Sequence, residues 1–407
     1  MIPDLVKVRQ EISAPEVPDP ISKLHMGLSK FSGKIRPGQK VAVAIGSRGI
    51  SNPGEIVKAV VDWVKAERGK PFIVPAMGSH GASTSAGQKK VLAELGICEE
   101  RMGCKVLSEI DAQKIGETPG LNIFTDRFAL KADQIILINR IKPHTSFHGE
   151  YESGLCKMLA IGLGKRKGAE EIHKRGPEYL AMRIPKAAEY LLKKLPVLLG
   201  VAILENYRER IAEIEVIAGR DFLKREPALL KKAYQLFPRL PFDELEVLVV
   251  DQIGKDKSGT GMDTNVIGRL DLRGLPETGR PRIRRIVVLG LSPKTAGSAY
   301  GIGLADITTR KVVRKMDWNA MRENALASTF VERVRVPVWF DSDCEAIEAA
   351  IKTSWCPEIS KLRLCRIKST LELEEFWITR NLLQKSHAPL KVIQKNASLK
   401  FDRHGNI

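Results

Sequence analysis

The stretch KVAVAIGSRG, from Lys40 to Gly49, decides the fold class of this chain of 407 residues. Its first part is almost wholly apolar, which is typical of a strand buried on both faces of a sheet, and its end is a glycine-rich turn that contains Arg48. Pro53 then stands where a helix can begin, and apolar residues recur at helical spacing from Ile56 to Val64. The stretch therefore predicts a strand, a turn and a helix in that order.

The same pattern recurs further along the first half of the chain. Residues 71–75 and 133–139 read as two more strands, and residues 83–95 have the apolar spacing of a helix. Strands that alternate with helices predict a parallel sheet connected by crossover helices.

Three reactive side chains follow these predicted strands. Arg48 comes after the first strand, His80 after the second and His144 after the third, each by a few residues. Ligands collect at the carboxyl edge of parallel sheets, where such loops meet. We therefore expect the three side chains to converge on one edge of the sheet.

The second half of the chain repeats the pattern more loosely. Its periodicity predicts strands at residues 245–251, 285–289, 336–340 and 362–366, and helices at residues 229–236, 318–328 and 344–352. Prolines within residues 238–242 break a helix, and the chain is too long for one ordinary core. We therefore predict two Rossmann-like α/β domains with mainly parallel sheets and an active-site cleft between them. Residues 1–240 would carry the cofactor and the catalytic residues, residues 241–407 would close the cleft, and residues 395–407 read as a loosely held tail.

The composition is that of a globular protein, with 43% hydrophobic and 28% charged residues. The six cysteines are spread singly, without a CxxC pair, which indicates reduced thiols. The longest apolar run, residues 195–204, is too short to span a bilayer, and the N-terminus lacks the basic start and apolar core of a signal peptide. We therefore expect a cytoplasmic protein that does not enter a membrane.

The formal net charge of +18 is high, with basic clusters at residues 280–285 and from Lys361 onward. A basic surface attracts nucleic acid, but aromatic residues make up only 6% of the chain and no nucleic-acid-binding module is recognisable. We therefore do not expect a nucleic-acid partner. A positive field also favours small anionic substrates, and this is the interpretation that we retain.

Four of the seven histidines lie within residues 80–173, namely His80, His144, His148 and His173. Histidine titrates near neutral pH and serves as an acid, a base or a metal ligand. Any one of them is as often structural as functional, but their common position after predicted strands favours function.

The densest run of reactive side chains extends from Lys142 to Lys157 and holds histidines, carboxylates, a thiol and amines. Mostly apolar residues follow at 158–163, as a helix that enters the core would show. Burial lowers the pKa of a lysine, so Lys157 is a candidate nucleophile or covalent anchor, although this segment alone favours a solvated lysine at a helix end. The basic turn at residues 162–168 lacks the ending of a P-loop and predicts at most a contact with a phosphate.

These motifs resemble the lactate racemase family, whose members use a nickel-pincer nucleotide. Pro143-His144 leads through Ser153-Gly154 to Lys157, and His173 lies sixteen residues beyond that lysine, as in the family. The turn Gly78-Ser79-His80 and Arg48 match a turn and an arginine that come earlier in family members. The resemblance covers about the first half of the chain and extends to the rest only as α/β architecture.

The resemblance implies an isomerase, a racemase or epimerase of a lactate-like or larger 2-hydroxy acid. The reaction would remove a hydride and return it through a keto-acid intermediate, with His80 and His144 as the acid–base pair. Because the stretch from His144 to Lys157 is longer than in characterised racemases, His148 is the alternative second histidine.

The resemblance also assigns binding residues. Lys157 would hold the nickel-pincer nucleotide covalently, and His173 would ligate nickel as a neutral imidazole whose other nitrogen is held by an acceptor. Arg48 would bind the substrate carboxylate, and Lys255, in a Gly-Lys-Asp segment similar to the family's Pro-Lys-Asp, would also contact the substrate. The implied partners are a small anionic 2-hydroxy acid and the cofactor-maturation enzymes.

Two other interpretations remain open at this point. A zinc- or iron-dependent hydrolase or lyase would use His80, His144, His148 and Glu150, although Pro143 and Gly149 indicate a loop rather than a helix around these ligands. A non-catalytic binding protein would keep the same fold and use its basic surface for a partner.

Overall fold

The computed structural model describes residues 2–47, 50–78, 84–277 and 279–407. They form two compact units, one of Ser13–Phe237 and one that joins the N-terminal residues through Ile12 to Pro238–Ile407. The second unit begins within the proline-containing segment, residues 238–242, where the sequence predicts a boundary. The first residues of the chain, predicted to belong to the N-terminal domain, belong instead to the C-terminal unit.

The strands alternate with helices through most of the chain. In chain order the strands are β1 (Leu5–Gln10), β2 (Lys40–Ile45), β3 (Lys70–Pro75), β4 (Ala112–Thr118), β5 (Leu121–Asp126), β6 (Gln134–Arg140), β7 (Val197–Glu205), β8 (Ile211–Ala218), β9 (Glu244–Val250), β10 (Arg282–Val288), β11 (Ile307–Thr309), β12 (Val338–Phe340), β13 (Leu364–Ile367), β14 (Glu375–Thr379) and β15 (Leu390–Gln394). The α-helices are α1 (Pro20–Ser29), α2 (Pro53–Ala66), α3 (Ser85–Glu94), α4 (Glu99–Met102), α5 (Arg127–Leu130), α6 (Leu155–Lys157), α7 (Lys165–His173), α8 (Leu180–Lys194), α9 (Phe222–Leu236), α10 (Thr264–Ile267), α11 (Arg310–Val313), α12 (Trp318–Ser328) and α13 (Asp343–Thr353). A π-helical turn, Met158–Gly162, follows α6, and short 3-10 helices connect other elements, namely Pro177–Tyr179, Gly219–Asp221, Pro293–Thr295, Ile302–Leu304, Val331–Val334, Ile359–Lys361 and Arg380–Lys385.

The N-terminal unit is built on a sheet whose described strands have the order β3-β2-β6-β7-β8. The strands β3, β2, β6 and β7 are parallel, and β8 is antiparallel to β7. Side chains of β2 alternate between two hydrophobic cores: Ala42 and Ala44 face one, and Val41, Val43 and Ile45 face the other. Both faces of the sheet are therefore covered, which explains the nearly continuous apolar run of this strand.

The helix after β2 begins where the sequence predicts. Pro53 is at its first turn, where a missing backbone N–H costs nothing, and Asn52 precedes it. The apolar stripe from Ile56 to Val64 is buried against the sheet. The loops at the carboxyl ends of β2, β3 and β6 thus leave from one edge of a parallel sheet, as expected.

The C-terminal unit contains a mixed sheet whose described strands have the order β12-β11-β10-β9-β13-β14-β1-β15. The strands from β12 to β13 are parallel, whereas β14, β1 and β15 pair antiparallel. Strand β1 lies between β14 and β15, with Leu5 opposite Thr379 and Gln10 opposite Leu390. This pairing explains why the first residues of the chain belong to the C-terminal unit and not to the N-terminal one.

The end of the chain is bonded to the C-terminal unit and is not the loose tail that the sequence predicts. The backbone N–H of Ala397 donates to the carbonyl of Leu5 at 2.8 Å, and that of Cys344 donates to the carbonyl of Gly405 at 3.0 Å.

All six cysteines are free thiols, as expected. Within the described residues, none of the helices has the length and apolar character needed to cross a bilayer.

Candidate active site

The loop after β6, residues 141–154, leads from the N-terminal sheet into helix α6. Its ends are joined, because the backbone N–H of Lys142 donates to the carbonyl of Ser153 at 3.0 Å and the reverse bond measures 3.3 Å. Asn139, near the end of β6, donates from Nδ2 to the carbonyl of Gly154 at 2.8 Å. These bonds hold the start of α6 at the carboxyl end of β6, where ligand sites of parallel sheets lie.

Glu152 organises this loop from inside. Its carboxylate is buried, Oε2 accepts the backbone N–H of His144, and Oε1 accepts the backbone N–H of Gly149 at 3.1 Å. The hydroxyl of Tyr234, on α9, also donates to Oε1 at 2.8 Å. One carboxylate therefore fixes both halves of the loop, and it does so through hydrogen bonds to a negative acceptor, which are stronger than neutral ones.

His144 is held in one tautomer. The backbone N–H of Ser146 donates to His144 Nδ1 at 3.1 Å, so the neutral ring carries its proton on Nε2. The ring lies beside Phe147, with 4.4 Å between the ring centroids. Burial, and then the positive charges of Lys157 and His173, lower the pKa of His144 well below its ordinary value. His144 is thus a neutral imidazole at pH 7 that carries its proton on Nε2.

His148, the alternative second histidine, has a different environment. Its side chain is exposed, and its Nδ1 lies 2.9 Å from the hydroxyl of Tyr234. Because that hydroxyl donates its hydrogen to Glu152, it accepts from His148 Nδ1. His148 is thereby joined to the carboxylate that shapes the loop.

Lys157 ends helix α6 and directly precedes the π-helical turn, a feature often found at functional sites. In the part of the chain that the structure describes, its Nζ has no hydrogen-bond or ion-pair partner. Burial lowers the pKa of Lys157 to about 7, the positive charge of Lys142 lowers it further, and Glu152 opposes both. At neutral pH about half of this amine is therefore unprotonated and nucleophilic.

This pKa predicts selective chemistry at Lys157 in the cofactor-free protein. An ordinary lysine is almost fully protonated at pH 7 to 8 and reacts slowly with acylating reagents. We expect the acetylation rate of Lys157 to level off near pH 8, after a midpoint near pH 7, which peptide mapping by mass spectrometry measures. A rate that still climbs tenfold per pH unit above pH 8 would show that the amine is not perturbed.

Helix α6 is capped by a carboxylate that sequence analysis does not identify. Glu226, on α9, is buried, and its Oε2 accepts the backbone N–H of Cys156 at 2.9 Å. A Cβ at Gly154 would lie 2.3 Å from Glu226 Oε1, so the close approach requires a glycine there. Burial raises the pKa of Glu226 to about 7, and the hydrogen bonds from Cys156 and Leu155 only partly oppose this rise. Glu226 is a positioning residue for the helix that carries Lys157.

The raised pKa of Glu226 predicts how stability depends on pH. The folded state holds this proton more tightly than the unfolded state, so the stabilisation is complete below pH 4.5 and is lost as pH rises towards 7. The difference amounts to about 3 kcal/mol for a shift of this size. We expect Glu226→Gln to gain stability relative to the wild type between pH 5 and pH 8, measured by urea unfolding.

The control for this prediction is Glu178→Gln, which changes an exposed glutamate of the same unit. Its stability should follow the wild type at every pH. Parallel curves for Glu226→Gln and the wild type would contradict the raised pKa.

His173 ends helix α7, and its ring is anchored through one nitrogen. Its Nδ1 donates to the carbonyl of Ala169 one turn earlier, at 2.7 Å, which leaves the lone pair of Nε2 available. Burial lowers the pKa of His173, the hydrogen bond to Ala169 opposes this, and Lys157 and Arg183 lower it further. The acceptor expected for the second nitrogen is therefore the backbone of the same helix.

The structure brings three of the sequence-predicted residues together. The charges of Lys157 and His173 both lower the pKa of His144, and the charge of Lys157 lowers that of His173, so the three half-buried side chains lie near one another. Arg48 and His80, the other residues predicted there, lie outside the described residues. The strands that precede them, β2 and β3, are parallel to β6 and end at the same edge of the sheet.

Lys255 belongs to the C-terminal unit. Its Nζ donates to Oδ1 of Asn324, and its backbone N–H donates to the hydroxyl of Thr295 at 3.2 Å. Its assignment to the substrate stays a prediction.

The basic turn at residues 162–168 is not a phosphate loop. Lys165 is fully buried with a positive φ of 53°, and its Nζ lies 3.1 Å from Asp126 Oδ2 and donates to the carbonyl of Pro75. Gln88, which also contacts this ammonium, donates from Nε2 to the carbonyl of Gly78 at 3.1 Å. The lysine thus holds the end of β3, and its charge is committed to Asp126.

The metal-site interpretation needs a residue outside the described ranges. Among the residues that the structure describes, which leave out His80, no three histidine, cysteine or acidic side chains come together as metal ligands. Glu150, the fourth predicted member of that site, is exposed.

Comparisons with known proteins add a match to a family model over part of the chain and a structural likeness. Residues 46–229 match a family model described as a domain of unknown function, DUF362. No curated protein matches the chain. Among solved structures, the chain is similar to the lactate racemase apoprotein from Thermoanaerobacterium thermosaccharolyticum, with 12% sequence identity over 85% of this chain and 91% of that chain and a TM-score of 0.48. The family description assigns no activity, so function has to be argued from the residues of the site.

Proposed function

We propose that this protein is a racemase or epimerase of a 2-hydroxy acid that depends on a nickel-pincer nucleotide. The observation that carries the proposal is that Lys157 and His173, both half-buried, lie close enough for the charge of the lysine to lower the pKa of the histidine. The lysine has a pKa near 7 and no hydrogen-bond or ion-pair partner among the described residues, and the histidine has its Nε2 free. Such a pair suits a group that is bound covalently at one end and through a metal at the other.

The chemistry of these donors fits the cofactor. An unprotonated amine is needed to form an amide-type bond, and Lys157 provides one at neutral pH. A neutral imidazole with its other nitrogen anchored is the usual nitrogen ligand of nickel, and His173 provides one. When bound, the nickel-pincer group would supply the reversible hydride acceptor that no amino-acid side chain supplies.

The remaining residues would handle the substrate. His144 presents an Nε2–H and, being neutral at pH 7, can hold a proton at the substrate oxygen. Inversion of a carbon centre needs an acid–base group on each face, and we assign the second to His80. Arg48 and Lys255 are proposed to bind the anionic substrate, and the maturation enzymes of the cofactor are proposed as partners.

A racemisation assay tests this function. Protein produced together with the maturation enzymes is incubated with single enantiomers of several 2-hydroxy acids, and chiral chromatography follows the appearance of the other enantiomer or epimer. We expect turnover for at least one acid. Loaded protein that inverts none of them would contradict the proposed reaction.

Two variants separate the candidate histidines. His144→Ala is expected to lower kcat by about a hundredfold or more, because it removes an acid–base group. His148→Ala, the matched change at the exposed histidine of the same loop, is expected to lower kcat by less than about tenfold, since Glu152 keeps its bonds to the loop backbone. The reverse order of effects would assign the catalytic role to His148.

A further inference from the structure

A pocket lies within the C-terminal unit, with a volume of about 320 Å³. It is formed where β9, β10 and β13 end: Asp251 and Gln252 follow β9, residues 289–291 follow β10, and Arg366 lies on β13. Strand β9 has β10 on one side and β13 on the other, so the order of the sheet reverses at this point. Open α/β sheets bind ligands at such switch points, and the volume suits a small molecule.

The charges of this pocket are nearly, but not fully, compensated. Arg366 contacts Asp251 through two bonds, Nε to Oδ1 at 2.8 Å and Nη2 to Oδ2 at 3.0 Å. Lys311 Nζ lies 2.7 Å from Asp343 Oδ2. Lys315 also lines the pocket, is exposed and has no ion-pair partner among the described residues. Among the described side chains that line the pocket, Lys315 is therefore the cation that can meet an anionic ligand.

Asp343 supplies a second, independent sign of a ligand. Its side chain is 1% exposed, and its Oδ2 accepts from Lys311 and from the backbone N–H of Ile407 at 2.9 Å. Its Oδ1 is buried and has no hydrogen-bond partner within the described residues. A buried carboxylate oxygen without a donor is costly, and Asp343 lines the pocket, so a ligand that donates a hydrogen bond to Oδ1 would offset that cost.

We propose that this pocket binds a small anion that also carries hydroxyl groups, such as a hydroxy acid or a sugar phosphate. Lys315 binds the anionic group, and a ligand hydroxyl donates to Asp343 Oδ1. All of the residues involved belong to the C-terminal unit, whereas His144, Lys157 and His173 belong to the N-terminal one. The site is thus additional to the proposed racemase chemistry and does not require the nickel group.

Calorimetric titration of the full-length, cofactor-free chain tests the site. Three probes are compared: glycerate, glycerol 3-phosphate, and sulfate, which is an anion without a hydrogen-bond donor. We expect at least one hydroxylated probe to bind more tightly than sulfate. Binding of neither hydroxylated probe, or sulfate binding as tightly as both, would overturn the proposal, and the tighter of the two hydroxylated probes identifies a carboxylate or a phosphate as the anionic group.

Variants tie the binding to the pocket. Lys315→Ala, at an exposed position that does not endanger folding, is expected to weaken binding of the hydroxylated probe about tenfold, the effect of losing one charge-assisted bond. The matched control, Arg314→Ala, removes the neighbouring exposed cation that does not line the pocket and should leave binding unchanged. Equal effects of the two variants would show that the probe binds elsewhere.

A third variant tests the hydroxyl contact. Asp343→Asn is expected to weaken the hydroxylated probe more than sulfate, because only the former donates to Oδ1. Thermal unfolding establishes that this variant is folded before titration. An equal loss for all probes would contradict the assigned role of Oδ1.

Discussion

Protein with Lys157→Arg is expected to carry no covalent nickel group and to lose at least about a thousandfold in racemase activity. Arginine keeps the positive charge and much of the length, but its guanidinium stays protonated and does not form the bond that an amine forms. The wild-type amine is half unprotonated at neutral pH because burial lowers its pKa to about 7. Activity is measured by chiral chromatography and loading by nickel analysis, both on protein produced with the maturation enzymes.

The matched control is Lys186→Arg, which makes the same change at an exposed lysine of α8. It should keep wild-type loading and activity. Circular dichroism shows whether the Lys157 variant is folded, so that loss of activity is not loss of structure. A folded Lys157→Arg protein that retains activity would remove Lys157 from the mechanism.

The second large effect is expected in stability, from the buried pair Lys165–Asp126. Both side chains are fully buried, with 3.1 Å between Lys165 Nζ and Asp126 Oδ2. Lys165→Met leaves Asp126 as an uncompensated buried charge and also removes the donor to the carbonyl of Pro75. We expect a loss of about 3–5 kcal/mol in the free energy of unfolding, measured by urea denaturation.

A double variant separates the charge from the packing. In Lys165→Met with Asp126→Asn, the charge is gone, and the asparagine oxygen still accepts from the backbone N–H groups of Phe128 and Ala129, as Asp126 does at 2.7 and 2.9 Å. Most of the lost stability should return. A single variant as stable as the wild type would show that the pair contributes nothing.

The strands and helices of the first half were predictable from local sequence. A parallel strand that is buried on both faces of its sheet is a continuous apolar run, and the run stops where the polar or glycine-rich turn begins. Strand β2 has the predicted bounds, Lys40 to Ile45, and helix α2 begins at Pro53 as expected. The loop from Lys142 to Ser153 was recognisable for the same reason, since a dense polar segment follows a clear strand. Local pattern thus located the candidate site.

Contacts between distant residues were not predictable from local pattern. Strand β1 pairs with strands that lie more than 350 residues later in the sequence, and the residues of β1 do not indicate which strands they pair with. Glu226 and Tyr234 lie on a helix that reads only as amphipathic, yet they hold α6 and the loop that contains Glu152. The burial of Lys165 was not predictable either, because the charge that neutralises it, Asp126, lies at the end of another strand.

Intact-protein mass spectrometry with peptide mapping tests the central claim most directly. The wild-type chain is produced together with the maturation enzymes of the nickel-pincer nucleotide, alongside a characterised lactate racemase as a positive control for loading. The account predicts an adduct of the mass of the nucleotide on the peptide that contains Lys157, with nickel bound in proportion. An unmodified Lys157 in cells that load the control enzyme would contradict it.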